Sequence, residues 1–212
     1  MSGVRRLAVT LGDRYGVGPE LVARLTEAVA LPADVAGIVV GDPDVWEAGR
    51  AVAGVPGLPR TPRFEAAPTG WSFLARPYAL EVMPMGRVSA EAGREVLETL
   101  GSFAEAAREG MIDAILYAPL NKQAMKAAGH AAGDELEFFR TRLPALGLTG
   151  EINVLGDLWT SRVTSHVPLR EVGDLITIES VGRGIDLLWD TLRRAGTTAP
   201  RLAIAALNPH AG

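Results

Sequence analysis

The stretch that decides the fold is Leu7-Ala-Val-Thr-Leu-Gly-Asp-Arg-Tyr-Gly-Val-Gly-Pro-Glu20. Five residues suited to a buried strand, Leu7–Leu11, run into a glycine-rich turn and then a helix. The glycines let the backbone turn sharply and approach a ligand closely. Pro19 suits a first helical turn, where its missing N–H has no intrahelical partner to lose. The pattern is neither G-x-G-x-x-G nor a P-loop, which would carry Lys-Ser/Thr. On spacing alone it reads as a tight strand–helix turn, or as an anion site at a helix N-terminus.

Working outward, the same alternation recurs. Leu7–Leu11, Gly37–Val40, Ile112–Tyr117, Ile152–Leu155, Arg162–Ser165 and Leu202–Leu207 read as strands. Several are apolar throughout, as when helices cover both faces of a sheet. Helices are expected at Pro19–Ala30, Pro43–Val52, Ala90–Glu109, Lys122–Ala128, Glu135–Arg142 and Ile178–Arg194. Asp42 and Ser89 are suited to N-caps, and Gly110 and Gly196 to the left-handed position after a helix. The Pro-, Gly- and Arg-rich stretch Val55–Pro77 reads as an irregular or edge-strand insertion. Strand–helix alternation gives an α/β fold with a largely parallel sheet. The chain stops five residues past Leu207, at Asn208-Pro209-His210-Ala211-Gly212, and looks interrupted there.

Composition narrows the function classes. The 212 residues are 48% apolar and 22% charged, with a net charge of -4 and no clustered Lys/Arg face, so nucleic acid is not expected as a partner. No apolar run is long enough to span a membrane. The first residues lack the hydrophobic region and cleavage site of a signal peptide, and a cytoplasmic protein is expected. With no cysteine, any metal must be held by His and carboxylates.

Five segments could carry chemistry. Gly12–Glu20 is the first. Ala118-Pro-Leu-Asn-Lys122 follows the strongest strand; Lys122 there either binds an anionic substrate or transfers a proton, or is a solvated first-turn lysine. In Gly133-Asp-Glu-Leu-Glu137, Asp134 and Glu135 favour a helix start through its dipole, and a ligand role competes with that. The last two are Thr164-Ser-His-Val-Pro-Leu-Arg170 and Asn208–Gly212. They place two of the three histidines, His166 and His210, just beyond strands, where sites converge in α/β folds. His130, in a Gly/Ala-rich stretch, reads as surface.

Taken in order, these segments resemble the 4-hydroxythreonine-4-phosphate dehydrogenase family. Its Gly-Asp-Pro-Ala-Gly-Ile-Gly-Pro-Glu is similar to Gly12–Glu20, with Arg14 and Tyr15 in place of Pro-Ala. Its Pro-Leu-Asn-Lys matches Pro119–Lys122, its Thr-x-His-x-Pro-Leu matches Thr164–Leu169, and its Asn-Pro-His-Ala-Gly matches Asn208–Gly212. The resemblance implies an isocitrate/isopropylmalate dehydrogenase-like fold, two α/β/α domains around a cleft, with a C-terminal part absent from this chain. Residues 1–140 would form the first domain and 141–212 the start of the second. It implies metal-dependent oxidation of a secondary alcohol with NAD or NADP, possible loss of CO2 afterwards, and a homodimer with the active site at the subunit interface. A divalent cation (Zn, Mn, Co or Mg) would be held by His166, His210 and a third histidine beyond residue 212. Lys122 is the catalytic candidate; Asn121, Asp134 and Glu135 are candidates for substrate binding, and no cofactor-binding residue is assigned.

One departure bears on substrate. Many family members have Gly-His-Thr-Glu where this chain has Gly133-Asp134-Glu135-Leu136, and the His-Thr pair holds a phosphate. A carboxylate beside a phosphate is repelled by about 4 kcal/mol per close charge pair at an effective dielectric of about 20. A hydroxy-acid, polyol or dihydrodiol is therefore expected rather than 4-phosphohydroxythreonine. Two other readings stand beside this one: a cis-dihydrodiol dicarboxylate dehydrogenase, and a truncated, non-catalytic binding protein on the same scaffold.

Overall fold

The computed structural model describes residues 3–80, 85–130, 135–143, 148–206 and 208. The chain divides into two compact units, Met1–Leu143 and Pro144–Gly212.

The first unit is built on four parallel strands, β1 (Arg5–Thr10), β2 (Val35–Gly41), β3 (Gly70–Ala75) and β4 (Ala114–Tyr117), in the order β3-β2-β1-β4. β1 pairs with β2 from Arg5↔Val35 to Thr10↔Val40, and with β4 from Leu7↔Ala114 to Thr10↔Tyr117. Helices α1 (Gly18–Ala28), α2 (Pro43–Ala53) and α3 (Ala90–Arg108) are the crossovers, and α4 (Lys122–Ala127) and α5 (Glu135–Arg140) follow β4.

The period-2 alternation of the strands sorts their side chains into two cores. Val9, Leu11, Val39 and Phe73 pack with Val22 and Ala23 of α1 and Trp46 of α2. Ala8, Ala36, Ile38 and Val40 face the other way, onto Phe103 and Ala106 of α3. With α1 and α2 on one face and α3 on the other, the inner parts of the central strands are shielded from water on both sides, which explains why Leu7–Val9 of β1 and the whole of β2 are apolar, while Arg5 and Arg6 stand where β1 emerges from cover. Trp46 stacks on Phe73 with ring centroids 5.5 Å apart.

The order of the strands fixes where a site can form. The chain winds outward from β1 through β2 to β3, then returns to the other side of β1 as β4. The strand order therefore reverses between β1 and β4, and the loops beyond their carboxyl ends diverge there and leave a crevice.

Local chemistry holds the ends of these elements. Asp42 caps α2, its Oδ1 accepting from the Asp44 and Val45 amides, and Ser89 caps α3 through the Ala92 amide. Gly110 and Gly196 are left-handed after their helices, as expected. β3 lies inside the stretch expected to be irregular or an edge strand, and it forms the sheet's edge.

The second unit holds an antiparallel hairpin of β5 (Ile152–Leu155) and β6 (Leu158–Ser161), the short helix α6 (Val172–Leu175) and the long helix α7 (Ile178–Arg194), which lies against β6. Thr177 and Ser180 form a reciprocal capping box at the start of α7.

Two expected strands are corrected here. The strand placed at Arg162–Ser165 is instead β6, four residues earlier, because Gly156-Asp157 makes a two-residue hairpin turn with Gly156 at φ 56°. Arg162 and Ser165 both reach back to Glu151, which draws that stretch out of the ladder. Residues 202–206 carry no regular structure, and Leu207 lies outside the described residues. His130, expected at the surface, is half-buried, its ring edge-to-face with Phe138 at 5.5 Å. No helix among the described residues is long and apolar enough to cross a membrane.

Candidate functional site

A cleft of about 330 Å³ opens at the reversal point, between the turn after β1 and the loop after β4. Asp13, Gly16 and Val17 line one wall, and Leu120, Asn121 and Lys122 the other. The two loops are locked together. The Asp13 amide donates to the Pro119 carbonyl at 3.1 Å, and the Asn121 amide group donates to Asp13 Oδ2 at 3.2 Å. Gly12 is obligatory at this seam: its φ is 72°, and a Cβ there would lie 2.5 Å from the Pro119 oxygen. Gly18 is required for close approach, since a Cβ would meet the Leu11 carbonyl oxygen at 2.2 Å.

Asn121 has two tasks. Its Oδ1 accepts the Ala124 amide at 3.0 Å and so caps α4, while its Nδ2 holds Asp13. Lys122, the first residue of α4, is two-thirds exposed; its Nζ lies 3.5 Å from Glu135 Oε2 at the start of α5. The structure thus brings together Asn121, Lys122 and Glu135. Asp134 and His210 lie outside the described residues. His166, in the second unit, is exposed and takes a left-handed backbone at φ 56°, a costly conformation for a residue other than glycine that often marks a constrained side chain. Of the expected metal donors, His166 and His210, the described residues include His166 alone; among the described residues no three His, Asp or Glu side chains gather where they could hold a metal.

Beneath the turn lies a charged cluster that sequence reasoning missed. Arg14 is buried, with Nη2 3.4 Å from Asp42 Oδ2 and Nε 3.2 Å from Glu95 Oε2. The Glu95 contact has ion-pair distance without aligned hydrogen-bond geometry. Asp42 Oδ2 also accepts the Tyr78 amide at 2.7 Å. Burial pushes the Glu95 carboxyl up to about 7 against the pull of Arg14, with Asp42 and Asp13 adding to the rise. Burial likewise raises the Tyr78 phenol. A signal for Glu95 did exist: Ala92, Glu95, Val96, Thr99, Leu100, Phe103 and Ala106 share the helical spacing of the buried face of α3. Arg14 sits in a loop, where no periodicity reports burial. Arg14, Asp42 and Tyr78 also line a second cleft of about 480 Å³, walled largely by apolar groups such as Val45, Val52 and Leu80.

Chemically, the first cleft offers a carboxylate, an amide and an exposed ammonium at the carboxyl ends of adjacent parallel strands. This set can orient a small polar, anionic molecule and exchange a proton with it.

Residues 34–212 match the family model described as pyridoxal phosphate biosynthetic protein PdxA. A Pseudomonas aeruginosa protein provisionally named 4-hydroxythreonine-4-phosphate dehydrogenase 2 is 41% identical over 98% of this chain and 63% of its own length. A D-threonate 4-phosphate dehydrogenase of Bordetella bronchiseptica is 34% identical over the whole chain and 62% of its own length. The crystal structure of a 4-hydroxythreonine-4-phosphate dehydrogenase from Burkholderia phymatum superposes with a TM-score of 0.81 at 27% identity, over 98% of this chain and 64% of that one. The chain thus spans less than two thirds of the length of these relatives. Its α/β architecture and four ordered motifs agree with the family match, and the chain belongs to the PdxA family.

Proposed function

We propose that this chain serves an NAD- or NADP-linked dehydrogenase that oxidises the secondary alcohol of a small hydroxy-acid. The observation that carries the reading is the cleft at the strand reversal, where Asp13, Asn121 and Lys122 meet. The names of the relatives, dehydrogenases of 4-hydroxythreonine 4-phosphate and D-threonate 4-phosphate, support it. In this reading Lys122 faces the anionic end of the substrate or takes up its hydroxyl proton. Asn121 holds the Asp13 carboxylate in place and keeps α4 capped, so Lys122 projects from a fixed helix start. The nicotinamide, when bound, accepts the hydride. A divalent cation held by His166 and His210 belongs to the proposal, as do decarboxylation after oxidation and a dimer with the site at its interface. Imidazole is a fitting donor for such a cation in a chain without cysteine, and the roles given to Asp13, Asn121 and Lys122 do not depend on it.

The substrate is proposed to lack the phosphate. Glu135, largely buried, already pairs with Lys122. A phosphate dianion seated there would meet a carboxylate that the family's His-Thr does not present. Steady-state turnover by the complete protein tests both parts, with each nicotinamide cofactor and with D-threonate 4-phosphate and 4-phosphohydroxythreonine set against their dephosphorylated forms. The higher kcat/KM is expected for the dephosphorylated acids. Efficient turnover of the phosphorylated forms alone would overturn the substrate assignment, and no nicotinamide reduction with any of them would overturn the dehydrogenase reading.

A further inference from the structure

We propose that Arg14 and Glu95 are positioning residues for this cleft: the buried bridge from Glu95 through Arg14 to Asp42 holds the Gly12–Gly18 turn in the shape that presents Asp13 to Asn121. In its kinetic consequence the inference rests on the dehydrogenase reading; its structural core does not.

The geometry leads there in steps. Asp13 is buried, and its carboxylate spans the turn: Oδ1 accepts the Tyr15 amide at 3.2 Å and Oδ2 the Asn121 side chain. The Gly16 amide donates to the Asp13 carbonyl at 3.0 Å. The turn is thus a closed knot with Asp13 at its centre. Arg14 is the next residue, and its side chain is the knot's root: it passes beneath the turn to carboxylates on two other elements, Asp42 at the β2–α2 junction and Glu95 on α3. Asp42 is itself immobilised, as the cap of α2 and the acceptor of the Tyr78 amide. Glu95 is immobilised by α3, whose N-terminal half packs against α4, the helix that Asn121 caps. One guanidinium therefore ties the β1–α1 turn to both faces of the sheet, and only a planar, forked cation reaches two carboxylates in this way. An arginine this buried is retained by its partners: removing one leaves an uncompensated charge, at large cost.

The bridge is also charge-unbalanced. Glu95 is faced by Arg14 and Asp13 from the turn, by Asp42 from the β2–α2 junction, by Tyr78 from the segment after β3, and by Glu98 on its own helix. Burial is the main reason Glu95 takes up a proton near neutral pH; the Asp42 and Asp13 carboxylates add to it, and Arg14, which Glu95 shares with Asp42, opposes it. With Glu95 protonated, Arg14 is anchored by Asp42 alone; with Glu95 ionised, by both. Arg14 stands where the family motif carries proline, so this anchor belongs to this chain's version of the turn.

The test uses the complete protein and the variants Arg14→Met, Arg14→Lys and Glu95→Gln, read first by amide hydrogen exchange without substrate or cofactor. In Arg14→Met, exchange is expected to accelerate at least about tenfold in residues 12–18 and 119–124 while β1 and β2 stay protected, because local opening at the loops precedes loss of the core. Arg14→Lys fails to rescue, since an ammonium makes no fork; Glu95→Gln, which removes one charged anchor and leaves Asp42, accelerates exchange in the turn less than Arg14→Met does. The second readout is kinetic: Arg14→Met raises KM about tenfold with kcat less affected, and Glu95→Gln removes the inflection near pH 7 in kcat/KM. Unchanged exchange at residues 12–18 in Arg14→Met would overturn the proposal, as would acceleration spread uniformly over the sheet, which marks a purely structural role. If no substrate is found, the exchange pattern still decides the bridge while the dehydrogenase reading falls separately.

Discussion

The two units of this chain carry similar side chains but use them differently. In Met1–Leu143 the inner strands β1 and β2 are covered on both faces, and Ile38, Val39, Trp46, Leu100 and Phe103 are almost wholly shielded from water. In Pro144–Gly212, Pro200 is the one buried residue among those described. Helix α7 has a stronger amphipathic pattern than α1, α2 or α3, with Val181, Ile185, Leu188 and Leu192 on one stripe, yet each stays only half-covered. Its sheet is a single hairpin, with Leu155 and Leu158 well exposed. Amphipathicity records that a face will be buried; it does not name the cover. In the first unit the cover lies within the unit itself; in the second, the described hairpin, α6 and α7 leave their apolar faces only partly covered.

The largest effect should come from separating the units. Residues 1–143 produced alone are expected to unfold cooperatively in urea, while residues 148–212 alone show no cooperative transition and little amide protection. A sharp transition in the second segment would break the comparison. Next, Phe103→Ala should cost about 3–5 kcal/mol in chemical denaturation of the full chain, and Leu188→Ala less than about 1 kcal/mol, since only the first empties a closed core. Equal losses would mean that α7 is better covered than its exposure indicates.

A subtler contrast concerns buried charge, which the first unit contains and the described residues of the second do not. The Glu95 carboxyl titrates at about 7 in the folded protein, above its unfolded value of about 4.3. The folded state therefore holds the proton more tightly. The stability it contributes is complete below the unfolded value, declines as pH rises, and is lost above about 7, a span worth on the order of 3 kcal/mol. Glu95→Gln should abolish that decline, so the variant gains on the parent between about pH 5 and about pH 8 in thermal unfolding. Parallel pH profiles for the two proteins would contradict the assignment. The smallest effect belongs to surface pairs: breaking Arg183–Glu179 on α7, a pair with both side chains more than half exposed, should change stability by less than about 0.5 kcal/mol.

How far the sequence could be read follows the same division. β1, β2, α1, α2 and α3 were legible because burial on both sides leaves a continuous apolar signature and because Pro19, Asp42 and Ser89 mark the helix starts. In the hairpin, Ile152–Leu155 is legible at its actual bounds, whereas the second strand is not, because Leu158–Ser161 alternates weakly and is identified only by the Gly156-Asp157 turn before it. Among the candidate residues, Asn121 and Lys122 stand out by their place after the strand Ile112–Tyr117, and Glu135 by its place among acids at a helix start. Arg14 was noticed only as a departure from a family motif, because the partners that bury it, Asp42 and Glu95, are distant in sequence. Glu95 could have been singled out as an acid on the apolar face of α3, a placement that needs a partner.

The most direct test of the central claim, that the cleft between the β1 and β4 loops is where substrate is bound and turned over, is kcat/KM for nicotinamide reduction by the complete protein carrying Lys122→Met. Lys122 is two-thirds exposed, so its loss should leave the thermal midpoint within about a degree or two of the parent. The account predicts a fall of about a hundredfold or more in kcat/KM. Turnover equal to that of the parent, with the fold intact, would place the chemistry elsewhere.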